Sequence, residues 1–217
     1  MSLWLGCGDG IVVAVLSQVA SLPVLRRRPR QHRRDQADQA AARDELTGLP
    51  TAARWRQRAG RELATILRRG GHAGLLMIDL DHFSQINETH GRRAGDNVLR
   101  AAAHAIQAET HHHDLLARFD GDTFVLLIPG ASLDGAMQIA ARIRSRVHTL
   151  SVTVRADNGS RAVADGLSVS IGTAISPNDG HTLDDLILTA KILLFAAKDN
   201  GRDQIRSTRP GFRQPSR

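Results

Sequence analysis

The run Leu75-Leu76-Met77-Ile78-Asp79-Leu80-Asp81 constrains this chain more than any other feature. An almost fully apolar segment without polar alternation is a strand buried on both faces, and such a strand belongs in the middle of a sheet. The spacing predicts a strand over 73–80 whose carboxylates emerge where it leaves the core. Apolar surface from other elements must then cover both faces of the sheet.

Helical spacing supplies that cover. Trp55, Leu63, Ile66 and Leu67 recur with a helical period from Arg54 to Arg69, and Gly70-Gly71 ends the run. Further helices are predicted over 93–108, over 133–148 through Met137, Ile139, Ala140, Ile143 and Val147, and over 183–197. Strands are predicted at 115–119 and 123–128, joined by Asp120-Gly121-Asp122, because an Asp-Gly pair between apolar runs signals a hairpin. A strand at 167–175 and an edge strand at 204–206 complete the order. Helix, strand, helix, hairpin, helix, strand and helix make a sheet with helices packed on it, in the α+β or α/β class. A chain of 217 residues accommodates one well-buried core of this kind plus appendages.

That core is aliphatic, since aromatics make up 3% of the chain and tyrosine is absent. The single cysteine, Cys7, excludes an internal disulfide framework and a Cys-rich zinc module. The net charge of +7 sits at the ends. Residues 26–43 hold seven arginines against Asp35 and Asp38, and residues 206–217 hold four arginines and no acid. The body between them is close to neutral, which argues against a domain surface made to wrap nucleic acid.

Residues 1–25 are read as a membrane anchor. The stretch from Leu3 to Leu25 would span about 34 Å as a helix, against a hydrocarbon core of about 30 Å. Arg26-Arg27-Arg28-Pro29-Arg30 follows it directly, the positive-inside signature that leaves the body in the cytoplasm. Asp9, Gln18 and Pro23 weaken the apolar run, and a disordered leader is the alternative. A secretory signal would carry its positive charge before the apolar run instead. Residues 26–43 form a basic linker helix or a solvated linker, residues 44–206 the folded domain, and residues 207–217 a basic tail.

Asp79 and Asp122 stand at the ends of two strands able to neighbour each other. Hard oxygen ligands of this kind suit Mg²⁺, which keeps waters and completes its shell with substrate phosphates. Two such acids under a triphosphate follow the logic of nucleotidyl transfer. The competing explanation is that both acids are there for turn propensity.

Five stretches, in order, resemble the GGDEF domain of the diguanylate cyclase family. They are Asp44-Glu45-Leu46-Thr47-Gly48-Leu49-Pro50; Asp79-Leu80-Asp81-His82-Phe83 with Asn87 and Gly95-Asp96; Arg118-Phe119-Asp120-Gly121-Asp122-Thr123-Phe124; Ser168-Val169-Ser170-Ile171-Gly172; and Ala197-Lys198 with Gly201-Arg202. The resemblance covers about residues 44–203. It implies an α+β fold, an α/β sandwich whose central, mainly antiparallel sheet is flanked by helices as in nucleotide cyclases and polymerase palms. It also implies cyclic di-GMP signalling: each domain binds one GTP, and two domains meet so that each 3′-hydroxyl attacks the other's α-phosphate.

Residue by residue, the resemblance makes Asp79 and Asp122 metal ligands with the Leu80 carbonyl, for Mg²⁺ or Mn²⁺, and assigns both aspartates the reaction centre. Phe83 falls in the nucleotide site, Asn87 and Asp96 read guanine, and Lys198 and Arg202 contact the triphosphate. A carboxylate accepts from guanine N–H groups and an amide both donates and accepts, so the guanine pair is chemically apt.

The departures are informative. The first signature glycine is Asp120, and the glutamate with metal and catalytic duties is Thr123, which is neutral at any relevant pH. Ser84 stands where a phosphate-contacting lysine is usual, and Thr51-Ala52 replaces the usual Asn-Arg. Together they point to retained guanine-nucleotide binding with impaired turnover; a working cyclase, with Asp120 or a water in place of the glutamate, is the alternative. The inhibitory Arg-x-x-Asp of the family becomes His111-His112-His113-Asp114, and His111 lacks the permanently charged fork that grips phosphate. The expected partners are GTP or a related guanine nucleotide, a second copy of the domain and the membrane, with no nucleic acid. A template-directed polymerase is excluded because no residues remain for fingers and thumb.

Overall fold

The computed structural model describes residues 42–155 and 161–208. The anchor read at 1–25, the linker up to residue 41 and the tail beyond 208 lie outside the described residues. Among the described residues, no helix is long and apolar enough to cross a membrane.

In chain order the elements are α1 (Ala52–Arg68), β1 (Ala73–Leu80), α2 (Phe83–His90), α3 (Arg92–Ala108), β2 (Leu115–Asp120) and β3 (Thr123–Pro129), then α4 (Leu133–His148), β4 (Val152–Arg155), β5 (Arg161–Ala164), β6 (Val169–Ser176), α5 (Leu183–Asp199) and β7 (Ile205–Ser207). Five strands form one sheet in the order β2-β3-β1-β6-β7, antiparallel except for the β6–β7 pair. All eight residues of β1 are buried, as are all eight of β6. The sequence expectation of a central strand and of an α+β sandwich is met.

Alternation along β1 divides the core into two layers. Leu76, Ile78 and Leu80 face α3 and α4, joining Val98, Ala102, Ile143 and Val147. Leu75 and Met77 face the other way, onto Trp55 and Leu63 of α1 and Leu186 and Ala190 of α5. Each fully buried aliphatic side chain contributes about 1.5–3 kcal/mol relative to exposure. On the α1 side, the buried Trp55 indole N–H donates to the Leu115 carbonyl at 2.7 Å, so its one polar atom is satisfied.

α5 lies hard against β6. A Cβ at Gly172 would collide with the Ala190 carbonyl and the backbone at Leu193 and Leu194, so only glycine lets the helix come this close. That approach fixes where the end of α5 meets the end of β1.

Three elements are additional to the sequence reading. α2 is a separate short helix with no buried residue, set off from α3 by Gly91 at φ +84°. A second, two-stranded sheet pairs β4 with β5 and adds Val154 to the α3–α4 core.

Candidate functional site

The ends of β1 and β3 carry the site. β1 and β3 are antiparallel neighbours in a register that pairs Asp79 with Thr123. Across that pair the Thr123 hydroxyl donates to Asp79 Oδ2 at 2.8 Å. The other oxygen of Asp79, Oδ1, receives the Lys198 ammonium from α5 at 2.5 Å. Asp79 is 4% exposed, so its charge is balanced from within the fold. Backbone bonds continue on both sides of the end of β1: Leu80 N–H reaches the Asp122 carbonyl before β3 at 3.3 Å, and Asp81 N–H reaches the Ser168 carbonyl before β6 at 2.9 Å.

The hairpin that presents Asp122 is braced from the start of the domain. Phe119 is the extra residue of a bulge, between the register pairs Arg118–Phe124 and Asp120–Thr123. Its ring meets Trp55 edge-on at 6.4 Å and lies under Lys191 Nζ at 4.8 Å. Arg118 donates from Nε to the Gly121 carbonyl at 2.8 Å and from Nη1 to both oxygens of Asp44 at 3.0 Å. Burial raises the Asp44 carboxyl, but hydrogen bonds from the Thr47 side chain and backbone, then Arg118, outweigh it and leave the group below its ordinary value. The leading stretch Asp44–Pro50 thus acts as a strut for the hairpin, a role the sequence reading did not give it.

Asp122 is half-buried, and burial followed by the neighbouring Asp79 carboxylate pushes its carboxyl above the ordinary value. Two hard carboxylates that repel each other are suitable donors for a divalent cation. Among the described residues, no group of three or more His, Cys, Asp or Glu side chains is placed to hold a metal. That is no obstacle for Mg²⁺, which takes only one or two protein carboxylates beside waters and phosphates. The donor set therefore fits such an ion.

The residues expected to read guanine lie on the adjoining helices α2 and α3. Phe83 and Asn87 lie on α2 and Asp96 on the second turn of α3, all half-buried. Gly95 lets Asn87 and Phe83 approach α3 closely, because a Cβ there would run into the Asn87 side-chain oxygen and stand 3.2 Å from the Phe83 ring. Gly95-Asp96 was legible as a motif; the contact that Gly95 makes possible was not.

Lys198 lies on α5 beside Asp79, and Arg202 follows in the loop after α5. Thr123, Asp120, Lys198 and Phe195 share a cavity of about 240 Å³. Ser84 is exposed on α2.

The His111–Asp114 loop is elsewhere and closes on itself: His111 N–H donates to Asp114 Oδ2 at 2.7 Å. The rings of His112 and His113 lie against each other, centroids 3.6 Å apart and planes tilted by 43°. Arg54, Arg58, His111 and Asp114 line a separate cavity of about 450 Å³.

The sequence matches the family model described as "Diguanylate cyclase, GGDEF domain" over residues 41–204, and the chain belongs to the GGDEF family. It is 31% identical over 198 residues to the diguanylate cyclase DgcP of Pseudomonas aeruginosa, covering 91% of this chain and 28% of DgcP. It is 36% identical over 146 residues to the diguanylate cyclase DosC of Escherichia coli K12, covering 67% of this chain and 30% of DosC. The chain thus spans under a third of the length of these relatives. Among solved structures, the GGDEF domain of PA1120 (TpbB or YfiN) from P. aeruginosa superimposes with a TM-score of 0.69 at 32% identity, covering 77% of this chain and 94% of that one. The diguanylate cyclase SiaD of P. aeruginosa, in complex with its activator SiaC, gives 0.70 at 33% identity, covering 83% and 68%.

Proposed function

We propose that this chain is a cyclic-di-GMP signalling domain that binds GTP or a related guanine nucleotide with Mg²⁺ and turns it over poorly. The observation that carries the reading is the Thr123 hydroxyl bonded to Asp79 Oδ2 at 2.8 Å. A neutral donor occupies the position where the family places a glutamate, and the acid beside it is already balanced by Lys198. The centre is one anion short of what two cations and a triphosphate would call for.

In this reading Asn87 and Asp96 take the guanine edge, with Phe83 against the base. Lys198 and Arg202 hold phosphate oxygens, and Asp79, Asp122 and the Leu80 carbonyl hold the cation. When bound, a divalent cation would neutralise phosphate charge there. Lys198 would then divide its charge between Asp79 and the nucleotide. Relatives named as cyclases and the intact guanine pair support binding; Thr123, Asp120 and Ser84 support weak turnover. The sequence of residues 1–30 supports a single membrane tether with the domain on the cytoplasmic side.

A second reading, an active diguanylate cyclase working as a homodimer, is favoured by Asp120, which lines the same cavity as Thr123 and Lys198 and could return the missing charge. Calorimetric titration of the purified chain with GTP in Mg²⁺ tests the first reading. Saturable binding that Asp96→Ala weakens at least tenfold is expected, the loss of a charged hydrogen-bonding partner being worth roughly 1.5–3 kcal/mol. No heat and no competition by any guanine nucleotide would end it.

A further inference from the structure

The loop after α5 runs through three consecutive residues of positive φ: Gly201 at +102°, Arg202 at +60° and Asp203 at +47°. Glycine enters this region freely, but an arginine and an aspartate do so in succession only where surrounding contacts over-determine the backbone. Those contacts are specific. Arg202 N–H donates to the Ala197 carbonyl at 3.1 Å, closing the helix end. Asp203 N–H donates to Asp81 Oδ2 at 3.0 Å. The Asp203 carboxylate takes Arg144 of α4 in a two-pronged pair, Nε to Oδ1 at 2.7 Å and Nη2 to Oδ2 at 2.7 Å.

Asp81 is the fixed point of this arrangement. It is 4% exposed, two residues beyond Asp79, and accepts from the hydroxyls of Ser168 and Ser170 at 2.7 Å each as well as from Asp203. The two serines anchor it to the start of β6. Three donors inside the fold account for its buried charge, in contrast to Asp79, which faces the cavity side through Thr123 and Lys198.

We propose that Asp81 and Arg144 are positioning residues for Arg202. Asp81 holds the backbone of Asp203 and Arg144 holds its side chain, so the residue next to Arg202 is gripped from two sides. The grip keeps the loop in its left-handed path and sets the direction in which the Arg202 guanidinium leaves the end of α5, together with Lys198 one turn earlier. A guanidinium held in this way loses less freedom when it meets a phosphate than one on an unrestrained loop. The inference rests on the nucleotide-binding reading above and adds to it a dependence on α4, an element that carries none of the residues expected to touch the ligand.

The test is calorimetry of the full chain with GTP and with GMP, each in Mg²⁺, for wild type, Arg144→Gln, Arg144→Lys, Arg202→Ala and the Arg144→Gln/Arg202→Ala pair. Arg144→Gln is expected to weaken GTP by about tenfold, the value of one charge-assisted contact, and to leave GMP unchanged. It should add nothing once Arg202 is alanine, and Arg144→Lys should restore part of the loss, since one ammonium cannot reproduce two parallel bonds. A loss of the same size in the Arg202→Ala background, an equal loss for GMP, or no loss for GTP would each overturn the proposal. If the wild type binds neither nucleotide, the binding reading fails and the phosphate role with it. Amide hydrogen exchange over residues 201–204 then decides the grip alone: faster exchange in Arg144→Gln supports it, and unchanged exchange refutes it.

Discussion

Thr123 and Asp79 face each other across β3 and β1, and the Thr123 hydroxyl donates to Asp79 Oδ2 at 2.8 Å. A carboxylate at residue 123 in that register would meet Asp79 as a like charge and would need a cation between them. Threonine removes that need. The Asp79–Thr123 pair is therefore satisfied by a hydrogen bond, and the repulsion that Asp79 still meets comes from Asp122.

Removing the hydroxyl isolates the structural half of this statement. Thr123→Val keeps the shape and takes away the donor, leaving Asp79 Oδ2 without it in a buried setting. The expected cost is about 1–2 kcal/mol in urea unfolding without divalent ions. Unchanged stability would mean that the bond contributes nothing.

Lys198 balances the other oxygen of Asp79 at 2.5 Å, with the lysine one-third exposed and the aspartate 6% exposed at the side chain. Lys198→Met leaves a buried charge unpaired and is expected to destabilise the domain by about 1–3 kcal/mol. Adding Asp79→Asn should recover part of the loss, because the uncompensated charge goes too. Additive losses in this double-mutant cycle would contradict a direct pairing.

Asp44 titrates below its ordinary value of 3.8 in the folded chain. A depressed carboxyl adds stability that is fully present above 3.8 and lost as pH falls through the folded value. Asp44→Asn should therefore cost stability at pH 7, about 0.5 kcal/mol once solvent screening of this partly exposed group is allowed for. The difference from wild type should shrink as the pH falls below 3.8. Urea unfolding at the two pH values checks this, and a constant difference would show that the ionised form is not what matters.

Gly95→Ala places a methyl group against the Asn87 side-chain oxygen and the Phe83 ring. Overpacking of this kind costs about 1–3 kcal/mol. Because α2 has no fully buried residue, the strain should displace Asn87 and weaken guanine-nucleotide binding more than it lowers the melting temperature. Calorimetry and thermal unfolding of the same variant give both quantities; intact affinity with a lowered melting temperature would remove Asn87 from the base site.

Much of this was legible in the chain. β1 announces itself because burial on both faces leaves no alternation, and the long helices because their apolar residues recur with the right period. α2 hid because Phe83 and Ile86 are its only large apolar residues and neither is fully buried. β4 and β5 hid because strands of four residues carry too little pattern. At the site, Asp79, Asp122 and Lys198 were identifiable one by one, since their motifs are local. The pairing of Asp79 with Thr123 follows from strand register, and the grip of Arg144 on Asp203 joins residues 59 apart in the chain. Contacts of that range leave no local pattern.

The central claim is that Thr123 costs the domain its turnover while leaving nucleotide binding in place. Purified wild type and Thr123→Glu, each incubated with GTP and Mg²⁺ and followed by mass spectrometry for cyclic di-GMP, test it most directly. The account predicts little or no product from wild type and at least a tenfold increase from Thr123→Glu, roughly the 1.4 kcal/mol of one restored electrostatic contact. Wild-type product at the rate of the glutamate variant would contradict it.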